Sequence, residues 1–82
     1  MRAEIVDISK NDSWFPYRSV IIGMTGEISD VDDWGDGWNA FTFIMDDEAD
    51  RRTLSEAVGL ITLRDGMLLF FEAKYSDVNE GV

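Results

Sequence analysis

Cysteine and histidine are both absent from this 82-residue chain, and Pro16 is its only proline. Without cysteine there is no disulfide, thiol nucleophile or thiolate metal site. Without histidine the commonest general base and metal ligand is missing too. Positive charge is scarce: seven Lys plus Arg stand against seventeen Asp plus Glu, a formal net charge of −10. Long apolar runs are missing as well, the longest being residues 67–71, far short of a membrane span. The start Met1-Arg2-Ala3-Glu4 lacks the charged and then apolar stretch of a secretory signal, so neither a membrane nor a secretory address is expected.

What is present argues for a folded domain. Apolar residues make up 45% of the chain, with three Trp, five Phe and two Tyr, far above the composition of a disordered acidic tail. No linker, repeat or low-complexity tract divides residues 1–82, so a single domain is expected. A domain of this size gains only roughly 3–5 kcal/mol from one core, which makes self-association a natural supplement.

Residues 3–9 read as a strand, with Ile5, Val6 and Ile8 as its β-branched bulk. Residues 10–18 read as a loop that folds Trp14, Phe15 and Tyr17 over one end of the core. Val20, Ile21 and Ile22 predict a second strand over 19–24, and Gly23-Met24-Thr25-Gly26 a bend leading into a strand over 27–31. Residues 32–37 form a turn cluster, followed by a strand over 38–45 that is apolar on both faces and so demands cover on both. Thr53-x-x-Glu56 fits a capping box and Gly59 a helix stop, which together predict a helix of two turns at most. Asp65-Gly66 predicts a type I′ hairpin between strands 60–64 and 67–75, with 76–82 fraying.

The expected fold is therefore α+β, mostly β: a small, strongly curved antiparallel sheet or partly open barrel of five to six strands with one short helix. The Gly-x-x-Gly bend, the turn cluster, the Gly37-Trp38-x-x-Phe41 strand and the closing hairpin resemble SH3-like small barrels. No peptide-groove signature accompanies that resemblance, so proline-rich ligand binding does not transfer with it.

Several motifs fail on inspection. The series Asp30, Asp32 and Asp36 with Gly35 imitates the start of an EF-hand loop, but Trp34 and Phe41 occupy ligand positions. The Gly-x-x-Gly spacing at 23–26 matches the backbone clamp of KH domains, yet Glu27 and the acids beyond it would repel a nucleotide. Adjacent acids such as Asp32 with Asp33 lie in turn-rich, solvated segments, and a chain this short has little room for a substrate cleft. No enzyme activity, metal or cofactor is expected.

The charge pattern is the remaining signal. Residues 19–50 contain no Lys or Arg, yet hold Glu27, Asp30, Asp32, Asp33 and Asp36, then Asp46, Asp47, Glu48 and Asp50. Same-face side chains on a strand repeat at roughly 6.6–6.8 Å, the same order as successive charges on a nucleic-acid strand. These nine acids are the candidate partner-binding residues, expected as two clusters along one side of the sheet. A plain solvated surface or adaptation to salt are the simpler readings of the same excess. Phe41, Phe43 and Met45 on one strand, and Met67, Leu69 and Phe71 on the other, are the candidate dimer interface. An aromatic patch of Trp14, Tyr17, Trp34 and Trp38 that selects basic peptides is the alternative binding reading.

In size, aspartate content, lack of cysteine and aromatic core, the chain resembles the phage-encoded acidic DNA-mimic inhibitors, including the Bacillus phage type that blocks the nucleoid protein HU. That resemblance implies a dimeric, non-catalytic protein in the bacterial cytoplasm that keeps HU, or a similar basic DNA-binding protein, off DNA. It implies no direct contact with nucleic acid or membrane. Such proteins share no common motif, so the acids named above rest on local charge alone.

Overall fold

The computed structural model describes residues 1–59 and 66–78. Among these, four antiparallel strands close into a barrel in the order β1-β2-β3-β4: β1 (Arg2–Ile8), β2 (Thr25–Gly35), β3 (Trp38–Met45) and β4 (Met67–Asp77). Two α-helices, α1 (Arg18–Ile21) and α2 (Glu48–Val58), and a 3-10 turn, Phe15–Tyr17, complete the described elements. The protein is thus α+β and mostly β, with four described strands where five to six were expected and two α-helices where one was. The predicted strand 60–64 and Asp65 lie outside the described residues, as do residues 79–82.

The barrel interior holds Ala3, Ile5, Ile8, Ile28, Phe41, Phe43, Met45, Leu68, Phe70 and Ala73, all buried. Phe70 packs against both Phe41 and Phe43, with ring centroids 5.2 and 6.2 Å apart. Ile5 and Ile8 are three residues apart, a spacing that normally puts side chains on opposite faces of a strand. A register shift between Ile5 and Asp7 resolves this: Val6 bulges out to solvent, and both isoleucines point inward.

The strand predicted over 19–24 is corrected. Pro16 stands in the first turn of the 3-10 element, the chain continues directly into α1, and the Ile22 amide donates to the Arg18 carbonyl at 2.9 Å. Of Val20, Ile21 and Ile22 only Ile21 is fully buried, with its neighbour Val20 packed half-buried beside it, so the segment presents consecutive residues to the core rather than an alternating face. Tertiary packing overrides β-branched propensity here. Gly23, at φ 101°, then turns the chain into β2, with its amide donating to the Ile5 carbonyl at 2.8 Å. Gly26 serves a different purpose from the expected bend: it sits in β2 between Ala3 and Met45, where any Cβ would overlap the Ile44 carbonyl.

The helix is longer than expected and starts earlier. Asp47, not Thr53, is the N-cap of α2, its carboxylate accepting from the Ala49 amide at 2.9 Å. Thr53 lies mid-helix and donates its hydroxyl to the Ala49 carbonyl. Gly59 ends the helix as expected, at φ 98°, with its amide on the Ser55 carbonyl. Ser76 and Asp77 belong to β4 rather than to a frayed end.

Candidate partner-binding face

The distal half of β2 leaves the barrel. Residues 29–37 are all exposed and pair with β3, whose other edge pairs with β4 as far as Asn39, so they form an exposed edge arm of the sheet that ends in a hairpin. Its hairpin loop is Asp36-Gly37 between Gly35 and Trp38, and both loop residues have positive φ, 57° and 84°, as a type I′ turn requires. The cluster 32–37 is therefore strand plus a two-residue turn. A register shift between Ser29 and Asp32 places one extra residue in β2, and Asp30 within it takes φ 54°, a left-handed conformation that aspartate tolerates better than most residues. The Asp33 carboxylate accepts from the Gly35 amide at 2.8 Å and stiffens the approach to the turn.

Asp30, Asp32, Asp33 and Asp36 are thus gathered on one arm. Nothing charged faces them across the ladder, because the whole of β3 lacks an ionisable side chain: Asp32 opposes Ala40 and Asp33 opposes Asn39. At the tip of the arm Lys74 places its ammonium over the Trp38 ring, 4.5 Å from the centroid, with its side chain beside Gly37 of the turn. Trp34 on the same arm is 63% exposed.

The other acids serve elsewhere. Glu27 pairs with Ile44 in the ladder and accepts from the Met1 ammonium at 2.6 Å. Asp46 forms an ion pair with Arg2, and Asp47 caps α2. Glu48 and Asp50 sit in the first turn of α2, where the helix dipole favours negative charge. Partial burial, and second the neighbouring Asp47 charge, push the Asp50 carboxyl above its ordinary pKa. The expected clusters consequently do not line one side: Glu27, opposite Ile44, lies at the Asp46 end of β3, while Asp33 and Asp36 lie at its other end, about 20 Å away at strand rise. The second one largely builds the start of α2.

The expected dimer set also divides. Phe41, Phe43 and Met45 are buried in their own barrel and are not available to a second copy. Met67, Leu69 and Phe71 are 46, 55 and 63% exposed on the outer face of β4. Ile44 and Val31 are further exposed large apolar residues that sequence reasoning did not single out. The aromatic set divides similarly: Trp14 and Tyr17 meet edge to face, centroids 5.9 Å apart, and pack half-buried on the core, away from Trp34.

Asp12 was not foreseen as important. It is buried, and its carboxylate accepts from the amides of Trp14, Phe71 and Glu72. The Asn-Asp-Ser turn at 11–13 was the available signal, since aspartate in turns accepts from backbone two residues on. Among the described residues no cavity is found, and no group of three or more acids converges as a metal site. No family model matches the chain, and no curated protein or solved structure is detectably similar to it.

Proposed function

We propose that this protein is a non-enzymatic acidic ligand of a basic, nucleic-acid-binding protein, and that it occupies the surface its partner uses for DNA. The single observation behind this reading is the arm: four aspartates on an exposed, hairpin-ended edge whose ladder partners on β3 carry no charge. Asp30 lies in the bulge, Asp36 in the turn, and the neighbours Asp32 and Asp33 on opposite faces, so the arm carries negative charge to both of its faces and suits a groove lined with lysine and arginine for phosphates. Association would gain on-rate from the long-range field of a −10 chain and weaken steeply with salt. A bacterial nucleoid protein of the HU type is the partner that the resemblance to DNA-mimic inhibitors implies.

The test is competition. Purified HU on a labelled duplex should release its DNA as this protein is added at low salt, and hold it at high salt. Replacing Asp30, Asp32, Asp33 and Asp36 by Asn should remove the effect, whereas Asp46→Asn should not. Undisturbed HU–DNA complexes at low salt and excess protein would defeat the reading for HU.

A second reading draws on the exposure of Trp34: an aromatic contact that selects basic peptides, with the acids as its rim. Trp34→Ala separates the two, because loss of binding in that variant with all four aspartates intact assigns the energy to the ring.

A further inference from the structure

The outer face of β2, β3 and β4 is ordered by cross-strand register. Glu27, Ile44 and Met67 form one row, and Ser29, Thr42 and Leu69 the next. In the third row Asp32 opposes Ala40. Ala40 is faced in turn by the bulge that carries Phe71, between the pairs Phe41↔Phe70 and Asn39↔Ala73. The core-facing side of β3 and β4 in these rows carries Phe41, Phe43, Met45, Leu68 and Phe70, so this face looks outward.

Along the strands, the face has an acidic column on β2, Glu27 and Asp32 with Ser29 between them, an uncharged column of Ile44, Thr42 and Ala40 on β3, and an apolar column of Met67, Leu69 and Phe71 on β4. Neighbouring strands lie about 4.8 Å apart, so the acidic and apolar columns run side by side at about 10 Å. That is the width of one chain segment with apolar side chains along one edge and cationic ones along the other. A nucleic-acid mimic needs no apolar column, and an ordinary solvated sheet would not hold three adjacent large apolar side chains 46–63% exposed on one strand.

We infer that this face docks an amphipathic, basic segment of the partner, with its apolar edge on Met67, Leu69 and Phe71 and its lysine or arginine edge on Asp32 of β2, Glu27 being already held by the Met1 ammonium. Charge decides between this occupant and a second copy. Two chains of −10 brought face to face repel, and Phe41, Phe43 and Met45 are buried and add nothing to a shared surface. A cationic segment meets attraction from the same charge and needs less area. The inference rests on the acidic-ligand reading above and adds an apolar, salt-insensitive part to it.

Two short synthetic peptides of equal charge test it, one alternating leucine with lysine and one alternating serine with lysine, titrated by calorimetry at low and high salt. The leucine peptide should bind about tenfold more tightly. The double variant Leu69→Ser, Phe71→Ser should bring it down to the level of the serine peptide without changing the salt dependence. Met67→Ser is a milder second variant at an exposed site, and circular dichroism confirms that each remains folded. Equal binding of the two peptides, or indifference to the β4 substitutions, overturns the docking inference while the acidic reading survives. Binding of neither peptide overturns both. A dimer of the protein alone in sedimentation, abolished by Phe71→Ser, gives the face to a second copy and overturns the inference.

Discussion

The carboxylate of Asp12 lies 2.7 Å from the amide nitrogen of Phe71, 59 residues further along the chain, and the same oxygen accepts from Glu72 at 2.9 Å. Both amides belong to the stretch where β3 and β4 lose register, between the pairs Phe41↔Phe70 and Asn39↔Ala73. A bulge frees backbone donors that the ladder no longer uses, and at a buried position they need an acceptor. Asp12 supplies it, and its second oxygen accepts from Trp14 at 2.9 Å. One side chain thereby fastens the loop after β1 to the bulge that sets Phe71 outward.

Asp12→Ala should be the most damaging loss of charge in the chain. It strands three amide donors in a partly buried setting, at a cost of roughly 2–4 kcal/mol. Asp12→Asn keeps one acceptor oxygen and should cost less. Equilibrium urea unfolding of the three proteins gives the order, and an unchanged midpoint for Asp12→Ala would refute the account.

Gly26→Ala should be nearly as severe for a steric reason. The added Cβ overlaps the Ile44 carbonyl, which is backbone of the neighbouring strand and cannot turn aside. A loss of about 3 kcal/mol or more is expected, read as a lower urea midpoint or as failure to fold. By contrast, alanine at Gly35 or Gly23 meets no neighbour within 4 Å and is opposed only by the positive φ there.

Asp47→Ala should cost about 1 kcal/mol, the usual worth of an N-cap, seen as reduced helical ellipticity and a lower melting temperature. Its loss should leave partner binding by the arm intact, because Asp47 lies at the far end of β3. A fall in binding that tracks the fall in stability would contradict that separation.

Asp50→Asn carries a pH signature. The folded protein raises the Asp50 carboxyl above its ordinary pKa, so the native state holds that proton where the unfolded chain has released it. The group's contribution to stability is thus fully present below the ordinary carboxylate pKa and is lost as pH rises through the raised folded value. At neutral pH the variant should be the more stable protein, by no more than about 0.5 kcal/mol because solvent screens this position. The gain should vanish on acidification. Melting curves of both proteins from pH 3 to 7, of order four points, check the sign.

Trp34→Ala should leave stability within about 0.5 kcal/mol, since the ring is largely exposed. That makes it a clean probe of the arm: any change in binding then belongs to the contact and not to folding.

Several elements were legible from local pattern. The strand expected over 3–9 and found over Arg2–Ile8, the strand at 38–45, the start of the last strand at Met67 and the helix stop at Gly59 follow from alternation, aromatic content and the placement of a glycine. The segment 18–24 was not legible, because three β-branched residues in a row look the same whether one is buried on a short helix or two on a strand. Ile5 and Ile8 could not be placed on one face without the bulge at Val6, which depends on how β1 meets β4.

By itself the sequence determined the sign of the charge, the absence of thiol and imidazole chemistry, and the β-rich character of the domain, because these follow from which side chains exist and how they alternate. Which acids remain unspent was decided by the tertiary structure. Asp46 meets Arg2, Glu27 meets the chain's own amino terminus, Asp47 meets the first turn of α2, and Asp33 the Gly35 amide, while Asp30, Asp32 and Asp36 end on the arm with no charged residue opposite them in the ladder. Whether a carboxylate is a cap, a counter-ion or an open contact depends on the group a distant part of the chain brings within about 3 Å, and linear order does not carry that distance.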